Sequence, residues 1–113
     1  MIRPVLLIAV FFSSTTIASE YTANEVLRFC SDHSKVTEQI MINRQRGMDI
    51  NYNIDSHIDV SRKSAATNKA VRGVINEAHK QPIQKSDVAK FGVVKRFRDK
   101  NMMRCLGNHY ALR

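Results

Sequence analysis

The sequence has little glycine, proline or cysteine, contains no tryptophan, and holds fewer acidic than basic residues. Four glycines and two prolines among 113 residues exclude collagen-like and Pro/Gly-rich disordered chains. An apolar fraction of 43% excludes an acidic solvating tail. With 18 Lys and Arg against 10 Asp and Glu, the formal net charge is +8. A chain of this length holds one domain at most, and that domain is basic.

Long apolar runs are missing except at the amino terminus. Arg3 precedes an uninterrupted apolar stretch at 5–12, and small residues follow up to Ala18, which is the layout of a secretory signal. Spanning a bilayer takes about 20 apolar residues, so this run is too short, and no later segment is apolar enough. We expect a signal peptide at 1–18, cleaved on export to the periplasm or the medium, and one helical domain at 20–113. The alternative is an uncleaved amphipathic or buried helix.

Local signals predict a first long helix. Thr22 and Glu25 form a capping-box pattern, and apolar or small residues then recur at helical spacing. Gly47 follows Arg44 and two further polar residues, where a glycine in the left-handed conformation would end the helix. These signals predict a helix over about 23–46.

The rest of the chain predicts further helices. Residues 49–60 alternate like a strand but have no second strand as a partner, so we expect a loop with a short helix starting at Asp49. A clear helical pattern spans 64–80 and ends before Pro82. A last helix starts at Ser86 and Asp87 and ends at Gly107. Expected inward positions are Thr67, Ala70, Val71, Val74, Ile75 and Ala78 on the third helix, and Val88, Phe91, Val94, Phe97, Met102 and Cys105 on the last.

Two cysteines are the strongest chemical signal. An even cysteine count in a small exported chain predicts a disulfide, and Cys30 with Cys105 is the only pairing. The alternative is a structural zinc site, because Cys30 and His33 together with Cys105 and His109 offer two thiolates and two imidazoles. Export favours the disulfide, so we expect no metal and no other cofactor.

Catalytic constellations are absent from the sequence. The histidines show no HExxH spacing, the acidic residues are isolated, and no Gly-rich phosphate loop or GxSxG motif occurs. A site could still assemble across helices, but no motif indicates one. We therefore expect a protein that is not an enzyme.

Positive charge is concentrated on the last helix. Lys90, Lys95, Arg96 and Arg98 are candidate binding residues within a basic stretch from Lys85 to Arg104. Such a face suits lipopolysaccharide, anionic lipid or an acidic protein, or it is only a solvated helix face. Export argues against a genomic nucleic acid as the partner.

Several short motifs resemble those of uncharacterised small exported helical proteins of gammaproteobacteria and their phages. The shared pattern is a cysteine, Ile-Met-x-x-Arg-Gln-x-Gly, Ala-Tyr-x-x-Pro, and a final Phe…Cys-Leu, found here at Cys30, 40–47, 78–82, Phe97 and 105–106. His79 replaces the usual tyrosine. The resemblance implies a helical periplasmic domain with joined cysteines, and it implies no activity.

Within that pattern, Arg44 and Gln45 are candidate binding residues, since an arginine fork suits carboxylates and phosphates. The alternative is a helix end whose side chains satisfy its own carbonyls. Taken together, the sequence predicts an all-α bundle of three to four helices with one disulfide. Its expected role is to bind an envelope or lysis-related protein. The alternatives are binding of the anionic envelope surface and inhibition of a cell-wall enzyme.

Overall fold

Four helices make up the part of the chain that the structure describes. The computed structural model describes the backbone of residues 21–111 and the side chains of residues 21–108, so the predicted signal peptide at 1–18 lies outside the described residues. The helices are α1 (Ala23–Gln45), α2 (Ile50–His57), α3 (Ala65–His79) and α4 (Asp87–Ala111). No strand occurs among residues 21–111. The predicted small all-α bundle is confirmed.

Both ends of α1 form as predicted. The backbone N–H of Glu25 donates to Thr22 Oγ1 at 3.1 Å, and the N–H of Thr22 donates to Glu25 Oε1 at 3.4 Å, which completes the capping box. At the other end Gly47 has a φ of +83°, and the N–H of Met48 donates to the carbonyl of Asn43 at 3.0 Å. A left-handed residue at this position turns the chain sharply away from the helix axis.

The ambiguous segment after Gly47 is the short helix α2. Asp49 caps it by accepting the backbone N–H of Asn51 at 2.9 Å. The side chain of Asn53 points inward and is fully buried. The expected loop with a short helix starting at Asp49 is confirmed.

Helix α3 buries a different set of residues from the one expected. Thr67 and Ala70 are exposed, whereas Asn68 is buried. Asn68 Oδ1 accepts the N–H of Asp59 at 3.2 Å, and its Nδ2 donates to the carbonyl of Asp59 at 3.0 Å. Two hydrogen bonds to the preceding loop satisfy this amide, and apolar periodicity carries no sign of such a contact.

Helix α4 departs from the prediction in two respects. It does not end at Gly107 but continues to Ala111. Gly107 keeps a helical backbone conformation, and among the described glycines only Gly47 adopts a positive φ. Val88 and Phe91, expected inside, are 83% and 71% exposed. The buried stripe runs through Val94 and Phe97, and at 3.6 residues per turn Phe91 lies about 60° and Val88 about 120° away from Val94.

The apolar core lies where α1, α3 and α4 meet. Helix α1 is central, since it packs against each of the other three helices and most extensively against α4. The core side chains are Ile40, Met41, Val71, Val74, Ile75, Ala78, Val94 and Phe97. Helices α1 and α4 run antiparallel, because Cys30 bonds Cys105 near one end and Glu38 pairs with Arg98 farther along.

Candidate functional site

The predicted disulfide is present between Cys30 and Cys105. Cys30 lies fully buried on α1, and Cys105 lies half-buried on α4. The bond closes a segment with a sequence separation of 75 residues. It therefore joins the start of the first helix to the end of the last.

The alternative zinc site does not form from these cysteines. Their sulfur atoms are bonded to each other, so neither is available as a thiolate ligand. The side chain of His109 lies outside the described residues. Among the side chains that are described, no three His, Cys, Asp or Glu residues come close enough to hold a metal ion.

Arg44 and Gln45 fasten the connection between α3 and α4. Arg44 donates from Nε and Nη2 to the carbonyl of Gln81, at 3.0 and 2.9 Å. Gln45 Nε2 donates to the carbonyl of Pro82 at 3.1 Å, and its Oε1 accepts the N–H of Gln84 at 2.8 Å. Both side chains thus bond the backbone of another segment rather than the carbonyls of their own helix.

A groove between the second half of α1 and the first half of α4 brings together most of the predicted binding residues. Its volume is 390 Å³. Four candidates from the sequence line it: Gln45, Lys90, Lys95 and Arg98. We call it the α1–α4 groove, and its remaining lining residues are Glu38, Ile42, Arg46, Phe91 and Val94.

The two other candidates lie outside this groove. Arg96 is on the opposite side of α4, where it lines a smaller cavity beside Met41 and Phe97. Arg44 turns toward the connection that it fastens. The basic stretch of α4 is therefore divided between two sides of the helix.

The charges around the α1–α4 groove are unevenly paired. At one end, Arg98 Nη1 donates to Glu38 Oε2 at 2.7 Å and its Nε donates to Asp99 Oδ1 at 3.1 Å. The hydrogen bonds to Glu38 and then to Asp99 raise the pKa of the Arg98 guanidinium. No acidic side chain among the described residues pairs with Arg46, Lys90 or Lys95.

Apolar side chains form the floor and one wall of the α1–α4 groove. Ile42 is half-buried and Val94 is buried, and Phe91 stands at the edge with most of its ring in water. Val88, one turn before Phe91, is also exposed. An exposed aromatic beside unpaired cations is typical of a surface that binds a partner.

Sequence reasoning missed Glu38, Ile42, Arg46 and Phe91 as parts of this site. The sequence pattern predicts Phe91 in the core, and this is wrong, because periodicity shows which residues share a face but not where the neighbouring helix lies. The placement of Arg46 opposite Lys90 depends on the antiparallel pairing of α1 and α4. The signal for that pairing in the sequence is the predicted disulfide, because it joins a residue early in the first helix to one late in the last helix.

A second, larger cavity lies at the disulfide end of the molecule. It has a volume of 490 Å³ and is lined by His33, Glu77, Arg104 and Cys105, among others. Its charges are paired with each other, because Glu77 accepts from Arg104 at 3.3 Å and lies 3.7 Å from Lys100 Nζ. Burial lowers the pKa of His33. This cavity therefore offers less free charge than the α1–α4 groove.

Comparison with protein-family models, curated proteins and solved structures returns no match to this chain. Within residues 21–111, none of the helices combines the length and the apolar character needed to cross a membrane.

Proposed function

We propose that this protein is an exported, non-enzymatic binding protein that holds another protein of the cell envelope or of a lysis system through its α1–α4 groove. The observation that carries the proposal is the juxtaposition of an exposed phenyl ring at Phe91 with three unpaired cations at Arg46, Lys90 and Lys95. None of these four side chains takes part in a described ion pair or in the buried core. The exposed ring of Phe91 leaves apolar surface in contact with water, and a partner that covers the ring would remove this cost.

Export is supported by two features. The sequence begins with the layout of a secretory signal, and a disulfide joins Cys30 to Cys105. Disulfides persist in oxidising compartments and are rare in the cytosol. The periplasm, or the medium, is therefore the proposed location.

Photo-crosslinking from the groove tests the proposal. A photoreactive phenylalanine analogue at position 91 is introduced into the full chain in the source organism, and the same analogue at Val60 serves as the control. Val60 is 84% exposed and lies in the connection before α3, outside the α1–α4 groove. We expect one discrete protein adduct from position 91 and none of the same mass from position 60.

Charge reversal then links the adduct to the groove. Lys90→Glu with Lys95→Glu removes two unpaired cations from the rim, and we expect the adduct to weaken strongly. Lys69→Glu with Arg72→Glu changes the total charge equally on exposed positions of α3, and should leave the adduct intact. No protein adduct at position 91, or equal loss in both double variants, contradicts the proposal.

A further inference from the structure

The walls of the α1–α4 groove restrict the backbone of anything that binds there. On α4 the lining residues from Lys90 to Arg98 lie inside the helix, where N–H and C=O groups bond along the helix itself. The same holds for Glu38 and Ile42 on α1. Main-chain groups that are not bonded along a helix occur in the lining only at Gln45 and Arg46, where α1 ends. An extended strand would therefore lack main-chain partners along most of the groove, whereas a helix satisfies its own backbone.

The length of the groove fits two turns of a helix. From Lys90 to Arg98 the wall rises by about 12 Å, at 1.5 Å per residue. A helix lying along it would present apolar side chains at i, i+4 and i+7 over about the same distance. Ile42, Phe91 and Val94 provide the apolar surface against which they would pack.

The charges on the rim select an acidic occupant. Arg46, Lys90 and Lys95 take part in no ion pair within the described structure. Glu38, the acidic residue among those that line the groove, is already bonded to Arg98. A second copy of this chain would set these cations against themselves in a symmetric dimer. Residues 1–19 of the sequence contain no acidic side chain, so that segment does not complement the rim either.

A single acyl chain fits the groove less well than a helix does. Lipid-like ligands are usually enclosed over most of their surface, whereas here Phe91 is 71% exposed and the groove is open along one side. A helix needs to bury only one face and keeps its polar face in water. The shape of the groove therefore favours a helix.

From these features, and resting on the proposed function, we infer that the partner contributes an acidic amphipathic helix that lies along the α1–α4 groove. Its apolar face packs on Ile42, Phe91 and Val94, and its flanking carboxylates pair with Arg46, Lys90 and Lys95. The binding should weaken as salt is added, because these pairs lie at the water-exposed rim.

A synthetic peptide tests the inference on the purified, disulfide-bonded protein. The probe has about 15 residues, with Leu at i, i+4, i+7 and i+11, Glu beside them and Ala elsewhere. One control peptide has the same composition with Leu scattered around the helix, and another has Lys in place of Glu. Vesicles of phosphatidylglycerol and phosphatidylcholine form the lipid arm.

We expect the acidic amphipathic peptide to bind at least about tenfold more tightly than either control peptide, and to gain helicity on binding. Amide chemical shifts should change at Ile42, Phe91 and Val94. The variant carrying Lys90→Glu and Lys95→Glu should lose about tenfold in affinity, and the variant carrying Lys69→Glu and Arg72→Glu less than about twofold.

Three outcomes overturn the inference. Equal binding of the scattered-Leu peptide would show that charge alone acts. Groove-dependent binding to the vesicles without binding to the peptide would make a lipid the occupant. A crosslinked partner whose labelled segment is not an acidic helix would overturn the inference while leaving the proposed function standing, whereas absence of any partner adduct at position 91 overturns the proposed function itself.

Discussion

At the scale of single residues, the side-chain amide of Asn53 determines the protonation state of His79 in the fold. Asn53 Oδ1 accepts from Asn43 Nδ2 at 2.8 Å, and its Nδ2 donates to the carbonyl of Ile40 at 3.2 Å. The same Nδ2 lies 2.9 Å from His79 Nε2. Because Nδ2 is a donor, Nε2 accepts, and the imidazole in the fold is neutral with its proton on Nδ1.

Stability should fall as the pH falls below about 6.5. Burial lowers the pKa of His79 from its ordinary value of 6.5, nearby Arg44 lowers it further, and Asp49 acts in the opposite direction. Burial also lowers the pKa of His33 and His57, with Lys63 contributing at His57. Below their ordinary pKa the unfolded chain binds more protons than the folded one, so acid favours unfolding.

Urea unfolding between about pH 7.5 and about pH 5 measures this dependence. In His79→Gln the side-chain oxygen can accept from Asn53 without titrating, so part of the pH dependence should disappear. A variant whose stability changes with pH as steeply as that of the unmodified protein would show that His79 does not contribute.

The second prediction at this scale concerns Gln45, which is only 2% exposed. Replacing it with alanine leaves the N–H of Gln84 without its partner, and the carbonyl of Pro82 keeps only its 3.5 Å hydrogen bond from Gln84 Nε2. An unsatisfied buried group costs about 1–3 kcal/mol, so we expect Gln45→Ala to lower the free energy of unfolding by about 2 kcal/mol. Asn76→Ala, at an exposed position of α3, is the control and should change it by less than about 0.5 kcal/mol.

At the scale of elements, the first residues of the helices could be predicted from sequence, because each start is set by a capping side chain that is adjacent in sequence. Thr22, Asp49, Ser64 and Ser86 each accept a backbone N–H two or three residues ahead, so their effect is local. The end of α4 did not follow in this way. Gly107 permits a left-handed turn but does not require one, and here it remains helical.

A glycine with a positive φ and a glycine within a helix should respond to alanine substitution with opposite changes in stability. Gly47 has a φ of +83°, which an alanine adopts only with strain, so Gly47→Ala should destabilise the protein by about 1 kcal/mol. Gly73 lies within α3 with no atom within 4 Å of an added Cβ, so Gly73→Ala should stabilise it by about 0.5–1 kcal/mol. Thermal unfolding monitored by circular dichroism compares the two, and a stabilising Gly47→Ala would contradict the assigned helix end.

At the scale of the whole molecule, the fold class and the disulfide followed from the sequence, whereas the groove did not. Helical spacing and cap residues are local, and only one pairing of two cysteines is possible. The groove depends on contacts between distant segments, such as Arg98 with Glu38 and Gln45 with Pro82. Apart from the cysteine pair, the sequence does not show which residues of α1 face which residues of α4.

Removing the disulfide should destabilise the whole molecule. A cross-link between residues 75 apart in sequence lowers the conformational entropy of the unfolded chain. In the chain-entropy treatment this raises the free energy of unfolding by about 4 kcal/mol. We expect Cys30→Ser with Cys105→Ser to lose a large part of its stability, measured by urea unfolding beside the oxidised protein. A loss below about 1 kcal/mol would show that packing of α1 on α4 alone holds these ends together.

The position of the disulfide also decides what a protease can do to this protein. Every connection between the four helices lies between Cys30 and Cys105, so a cut in any one of them produces two chains that remain covalently joined. Helices α1 and α4, which form the two walls of the groove, stay on the same molecule after such a cut. A nicked protein therefore keeps both walls of the α1–α4 groove on one molecule, and only reduction together with cleavage removes the covalent link between them.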